Sequence, residues 1–262
     1  MSSPGVPPDN PLRIELTGTD PIVSWLLPDI LPRGVVAVLA GLPGTGKSYL
    51  SYSLGLALAG GLPMLGQQPG QPCRVLYFDQ ENSAPDRIQY ERWAWHGLGC
   101  PNLDQLCDHF WCAPFVLGGR DWPAQATHHI QLHQPDLIII DTTTPACAIT
   151  DENDNGEAAR AVGWLRHLQT LTPQPPTVFA LKHAKVRADD GSYTLRGAKA
   201  WEGAVDSIIY ASRHKGRPRA DGLSRVTLHP GKVRAFGLRA TLTIDPSRTE
   251  DGRGIRLGLA GD

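Results

Sequence analysis

The sequence has no apolar run approaching 18 residues and no secretory core at its start, so it offers neither a membrane-spanning helix nor an export signal. A cytoplasmic protein is expected. Its five cysteines (Cys73, Cys100, Cys107, Cys112, Cys147) include no C-x-x-C pair and are odd in number. They read as reduced thiols rather than a disulfide scaffold. Cys100, Cys107, His109 and Cys112 lie close together, as do His128, His129 and His133, but neither spacing fits a zinc site. Net charge is nearly absent, −1 over 262 residues, which argues against a chain coated in basic charge for nucleic acid. No internal repeat and no second domain are visible. With 19% charged and 41% hydrophobic residues, the composition is that of a soluble globular chain, and the length suits one α/β domain with additions.

The small net charge hides an uneven distribution. Residues 182–239 carry thirteen Lys/Arg against five Asp/Glu, a local balance of +8. That stretch is a solvated basic face, or a surface for DNA, RNA or a neighbouring subunit's nucleotide. Residues 1–12 hold four prolines among Ser, Gly and Asn. Residues 1–20 are therefore expected to be a disordered tail, and 21–262 one domain.

The most informative stretch is 35–60. The apolar run 35–40 has buried-strand composition and leads directly into Gly41-Leu42-Pro43-Gly44-Thr45-Gly46-Lys47-Ser48. An amphipathic segment, 49–58, follows. This is G-x-x-x-x-G-K-[ST] between a strand and a helix, the context of a phosphate-binding loop. Gly41, Gly44 and Gly46 allow backbone conformations that a side chain would forbid. Successive N–H groups then face one concavity, and the helix N-terminus adds positive potential. Lys47 is placed to reach the β- and γ-phosphates of ATP, and Ser48 to ligate Mg²⁺. Pro43, Thr45 and Tyr49 complete the expected nucleotide contacts.

Further along, 74–79 is a second buried strand, ending on Gln80-Glu81-Asn82 at an edge where open α/β sheets place their chemistry. A carboxylate on the strand beside the phosphate loop can reach the water that attacks the γ-phosphate, which singles out Glu81. Leu137-Ile138-Ile139-Ile140-Asp141 is a third strand, and its terminal aspartate matches the Walker B residue that holds Mg²⁺. Residues 177–181 form a fourth, ending on Lys182-His183. Helices are expected at 86–95, 123–133 and 158–171, and a short strand at 109–116. Residues 184–197 read as a long polar loop. Residues 204–211 read as a strand, and strand-like runs at 226–229, 236–244 and 254–259 suggest an antiparallel extension. The fold class is α/β, a P-loop NTPase core with a mainly parallel sheet flanked by helices.

These segments, with Leu31-Pro32-Arg33-Gly34, 57–66, Asp151-Glu152-Asn153, His183-Ala184-Lys185 and Arg196-Gly197-Ala198, follow an order and spacing that resemble the RecA-like ATPases. Within them the chain looks like the RepA-like hexameric helicases and their AAA relatives. The likeness spans 25–242. It implies that Glu81 polarises the attacking water and that His183 senses the γ-phosphate. It also implies that Lys232 and Arg234 act on a neighbour's γ-phosphate within a homo-oligomer, as a hexameric ring. DNA-binding loops are implied at 146–157, which is acidic, and at 184–199. The second carries Lys185, Arg187, Arg196 and Lys199 for phosphates and Tyr193 for stacking, or else serves as an interface loop. The implied activity is Mg²⁺-dependent ATP hydrolysis. It would drive a helicase or translocase on single-stranded DNA, a recombination-type filament, or a KaiC-like switch acting on a protein partner.

Overall fold

The computed structural model describes residues 23–113, 121–186, 192–195, 199–214, 219–234 and 237–261. The expected tail (1–20) and two of the expected DNA contacts, Arg187 and Arg196, lie outside the described residues.

The described chain opens with β1 (Trp25–Leu27) and β2 (Leu31–Pro32), a small antiparallel pair. β3 (Val36–Gly41) leads through the glycine loop to α1 (Lys47–Gly60). β4 (Val75–Asp79), α2 (Ala84–Gly97), α3 (Leu103–Cys107) and β5 (Phe110–Ala113) follow. Then come α4 (Trp122–His133), β6 (Leu137–Asp141), α5 (Thr143–Ala146) and α6 (Asn155–Leu168). β7 (Thr177–Val186), β8 (Tyr193–Leu195), α7 (Ala200–Ala204) and β9 (Ser207–Arg213) lead to β10 (Val226–Val233), β11 (Leu242–Arg248) and β12 (Ile255–Leu259).

One sheet organises these elements, in the order β12-β11-β10-β9-β3-β7-β6-β4-β5. From β9 to β5 every pair is parallel, and from β9 to β12 every pair is antiparallel. The central strands are continuous aliphatic runs because both faces are covered. On β3, Ala37 and Leu39 join a core with α1, α2 and α3. Val36, Val38 and Ala40 join a second core with α4, α6 and α7.

The structure corrects four expectations. The Glu81-bearing strand β4 is not beside the phosphate-loop strand, because β7 and β6 stand between them. Helix α1 is not amphipathic: every residue from Leu50 to Ala59 is buried, with the sheet on one side and α2 and α3 against it. The strand expected over 177–181, ending on Lys182-His183, runs on to Val186. His183 still pairs with Gly41 of β3, and Ala184, Lys185 and Val186 pair with Leu195, Thr194 and Tyr193 of β8. The expected loop 184–197 is therefore in part a β-hairpin. Finally, β11 starts at Leu242, since Gly237 takes a φ of 146° that ends any regular strand there.

Candidate active site

The C-terminal ends of the parallel strands meet at one edge. Register puts Gly41 beside both His183 and Ala211, and Asp79 beside Asp141. Gly44 and Gly46 have φ of 73° and 90°, the left-handed region that favours glycine. Gly41 serves differently: a Cβ there would lie 2.7 Å from the Ala211 carbonyl oxygen. Thr45 turns the loop, its N–H and hydroxyl both donating to the Leu42 carbonyl. Helix α1 then starts at Lys47 with no side-chain cap and no acidic residue in its first turn. Its first N–H groups remain available to an anion.

Lys47 is buried, and its Nζ donates to the carbonyls of Gly41 (3.1 Å) and Leu42 (3.2 Å). Burial lowers its pKa, opposed by the charges of Glu81 and Asp141. Those two carboxylates are thus electrostatic neighbours of the loop lysine despite the intervening strands.

Asp141 is fully buried. Its Oδ2 accepts from the Tyr77 hydroxyl (3.0 Å) and from Asn82 Nδ2 (3.3 Å), while no hydrogen bond of good geometry reaches Oδ1. Burial pushes its pKa up to about 6, helped by the charges of Asp79 and Glu81 and opposed by the hydroxyls of Ser48 and Tyr77. Tyr77 in turn shares a hydrogen bond with Ser51 of α1 at 2.7 Å and stacks on Tyr52, ring centroids 4.1 Å apart.

Asp79 builds the turn that carries Glu81. Its Oδ1 accepts from the backbone N–H of Glu81 (3.0 Å) and of Asn82 (2.9 Å), and its Oδ2 from the Tyr52 hydroxyl (2.7 Å). The Asn82 amide donates to both Asp79 oxygens and so bridges Asp79 to Asp141. Ser83 then caps α2, accepting from Asp86 N–H. The result is a fixed turn with Glu81 at its apex, its carboxylate 3.9 Å from Nε2 of His183.

These residues fit a Mg²⁺-bound nucleoside triphosphate. The open cradle at Gly44–Gly46 suits phosphates, and a buried, raised-pKa carboxylate beside the Ser48 hydroxyl suits a hard cation. Without a cation, Asp141 carries a cost. A carboxyl whose folded pKa lies above its unfolded value binds its proton more tightly when folded, so stability falls as pH rises between the two values. The penalty is absent below about pH 4, builds to about pH 6, and is about 3 kcal/mol above that. Asp141→Asn is therefore expected to raise the melting temperature of the ligand-free protein by roughly 5–10 °C at about pH 7.5, and to lose that advantage near pH 4. Thermal unfolding against pH checks this, and an unchanged or lower melting temperature at neutral pH would show that Asp141 is not strained by its charge.

The remaining expected residues fall elsewhere. Pro43 is exposed on the loop and Tyr49 half-buried on the first turn of α1. Lys185 and Lys199 are exposed, at the hairpin and at the start of α7. Tyr193 is half-buried, its ring 6.3 Å from both Tyr210 and His229, so it packs within the fold. The acidic segment 146–157 is tied up locally, Glu157 accepting from Thr150 and Asp151. Lys232 and Arg234 lie at the opposite edge of the sheet. Lys232 Nζ donates to the carbonyls of Glu202 (2.6 Å) and Gly203 (3.1 Å), and Arg234 to Gly203 (2.7 Å). Sequence reasoning missed Tyr52, Tyr77, Asp79 and Asn82 as parts of the site. The Asp79-x-Glu81-Asn82 spacing at a strand end was a usable signal, since short side chains there bond the backbone two residues on. The tyrosines sit in apolar runs and gave none.

The model of the AAA domain family matches residues 8–189, which include the glycine loop, Glu81, Asp141 and His183 and stop short of Lys232 and Arg234. No curated protein matches the chain. Among solved structures, that of a KaiC-like protein from the hyperthermophilic archaeon Pyrococcus horikoshii is similar in fold. Its TM-score is 0.57 at 14% identity, covering 88% of this chain and 93% of that one. Among the described residues no helix is long and apolar enough to cross a membrane. With the strand–glycine loop–helix unit at the end of a mainly parallel sheet, these matches place the chain in the AAA domain family, as a P-loop ATPase of RecA-like fold.

Proposed function

We propose that the chain is a Mg²⁺-dependent ATPase that assembles into a homo-oligomeric ring and acts on single-stranded DNA as a helicase or translocase. The observation that carries this reading is the pairing of Glu81 with His183 at 3.9 Å, on the strand that continues into the basic hairpin. Lys47 and the loop N–H groups would hold the triphosphate, and Ser48 and Asp141 the metal. Bound there, Mg²⁺ would neutralise charge on the β- and γ-oxygens. Glu81 orients the attacking water and accepts its proton as the bond to the γ-phosphorus forms and the bond to the leaving oxygen breaks. Its carboxylate is partly exposed, and the Asp79 turn fixes the backbone that carries it. His183 feels that change of charge, and Lys185 lies two residues further along β7, where a strand displacement would move it against DNA phosphates.

Single-stranded DNA is expected to stimulate hydrolysis in a salt-sensitive way. Lys185→Ala should weaken DNA binding and flatten its log–log salt dependence by roughly 0.7, the share of one phosphate contact. Hydrolysis assays and DNA titrations at several salt concentrations check both. A second reading, an ATP switch acting on a protein partner, is favoured by the internally packed Tyr193 and by Val186, which is 46% exposed at the hairpin. Hydrolysis indifferent to DNA and RNA would select it. DNA-length-dependent filaments in place of rings would select a recombination-type ATPase.

A further inference from the structure

Tyr52 stands in the second turn of α1 and is fully buried. A hydroxyl at that depth needs a partner. It donates to Asp79 Oδ2 at 2.7 Å and lies 3.7 Å from Cys112 Sγ. Burial holds its pKa far above the ordinary phenol range, so it remains a donor. The ring is fixed by its stack on Tyr77, with centroids 4.1 Å apart and planes 14° apart. On the other side of the hydrogen bond, the two oxygens of Asp79 have different tasks. Oδ1 accepts from the Glu81 N–H, the Asn82 N–H and the Asn82 amide, all within the turn. Oδ2 accepts from the Asn82 amide and from Tyr52. Among the described residues, Tyr52 is thus the donor that ties this carboxylate to an element outside its own turn.

Resting on the reading of Glu81 as the group that orients the attacking water, we propose that Tyr52 is a positioning residue for hydrolysis. Through Asp79 it ties the Glu81 turn to the helix that begins at the phosphate loop. Ser48 and Tyr52 are four residues apart on that helix and share one face of it. One rigid element therefore carries both the hydroxyl offered to the metal and the donor that sets Asp79. The Tyr52 hydroxyl touches neither nucleotide nor water. Its effect is to stop rotation of the Asp79 carboxylate, whose terminal torsion is soft unless both oxygens are held. Without it, Oδ2 keeps the Asn82 amide alone, which moves with the same turn. The acceptor of the Glu81 and Asn82 N–H groups is then loosened, and Glu81 spends less time aligned with the γ-phosphate. Lys47 and the loop N–H groups are not involved, so binding of the triphosphate is spared.

The test uses the full chain with Mg²⁺–ATP and three variants: Tyr52→Phe, Glu81→Gln and the double variant. Tyr52→Phe keeps the ring and its stack and removes only the hydroxyl. Single-turnover hydrolysis with protein in excess is measured beside ATP affinity, so that slow turnover is still counted. Tyr52→Phe is expected to slow hydrolysis by about 10- to 100-fold with ATP affinity unchanged. On the Glu81→Gln background it should cause no further loss, because the group it positions is already disabled. A purely structural role would give the same loss on both backgrounds. Circular dichroism and thermal melting check that each variant is folded. If Tyr52→Phe is not, Asp79→Asn replaces it, since an amide there breaks the same hydrogen bond and leaves the tyrosine in the core. Wild-type turnover in the folded variant, a parallel fall in rate and affinity, or a full further loss in the double variant would overturn the positioning role. Glu81→Gln that turns over like wild type would overturn instead the reading of Glu81, and wild type that does not hydrolyse ATP would overturn the ATPase reading itself.

Discussion

Glu81→Gln is expected to lower ATP turnover by about 10²- to 10⁴-fold while leaving ATP binding close to wild type. Glutamine has the same shape and leaves the backbone bonds from the 81 and 82 N–H groups to Asp79 in place. It cannot accept a proton at neutral pH, so only the step in which water is deprotonated suffers. Binding is spared because Lys47 and the α1 N-terminus are untouched. The variant also removes one of the two charges that face Lys47 and the partner of His183, which are smaller effects on a side chain that is 41% exposed. Single-turnover hydrolysis with a parallel nucleotide-binding titration separates the two quantities. Turnover near wild type would mean that another group prepares the water.

Arg234→Ala is expected to cost about 10³- to 10⁵-fold in turnover, the range for an arginine that stabilises transferring phosphoryl charge from a neighbouring subunit. An arginine finger at this position would have to act in trans, because it stands away from its own loop. Val233 pairs with Ser207, which pairs with Ala37, whereas the glycine loop leaves the sheet at Gly41 beside Ala211. Arg234 is thus more than four residues along the strands, roughly 13 Å or more, from its own loop. Within its own chain the guanidinium bonds the Gly203 carbonyl and lies 3.8 Å from Asp206. At 52% exposure that contact is weak enough to be exchanged for a phosphate across an interface. The bond from its backbone N–H to the Asp206 carbonyl survives the substitution, so the fold should too. Mixed with wild type, the variant should depress activity below simple dilution, because each altered subunit disables its neighbour's site. Activity that tracks the wild-type fraction would assign Arg234 to capping α7 alone.

Much of the site was legible because its residues are contiguous or close an aliphatic run. The glycine loop carries its own geometry in eight adjacent residues. Asp141 announces itself by following four branched aliphatics that are all fully buried. Glu81 stood out as charge at a strand end. The extension of β7 beyond His183, through Lys185 to Val186, was not legible. Polar residues end an apolar pattern, yet backbone pairing with β3 and then β8 carries the strand on. Tyr52 and Tyr77 read as ordinary apolar positions, and their hydroxyl partners Asp79 and Asp141 lie 27 and 64 residues away. The catalytic edge was legible as a place but not as an order of strands.

By itself the sequence determined which segments are buried strands, where the phosphate loop lies, and which acidic side chains stand at strand ends. Those are local properties of composition and spacing, set by what a backbone can adopt and what water excludes. Only the tertiary structure decided that Glu81 meets His183 across the intervening β6, that Asn82 bridges two carboxylates, and that Lys232 and Arg234 lie away from their own loop. It also decided that Trp93 and Tyr49 line a cavity beside the glycine loop. Each of these joins residues distant in the chain, and no local preference records them. Sheet order and register bring them together, and that pairing buries both faces of the central strands while satisfying their backbone hydrogen bonds.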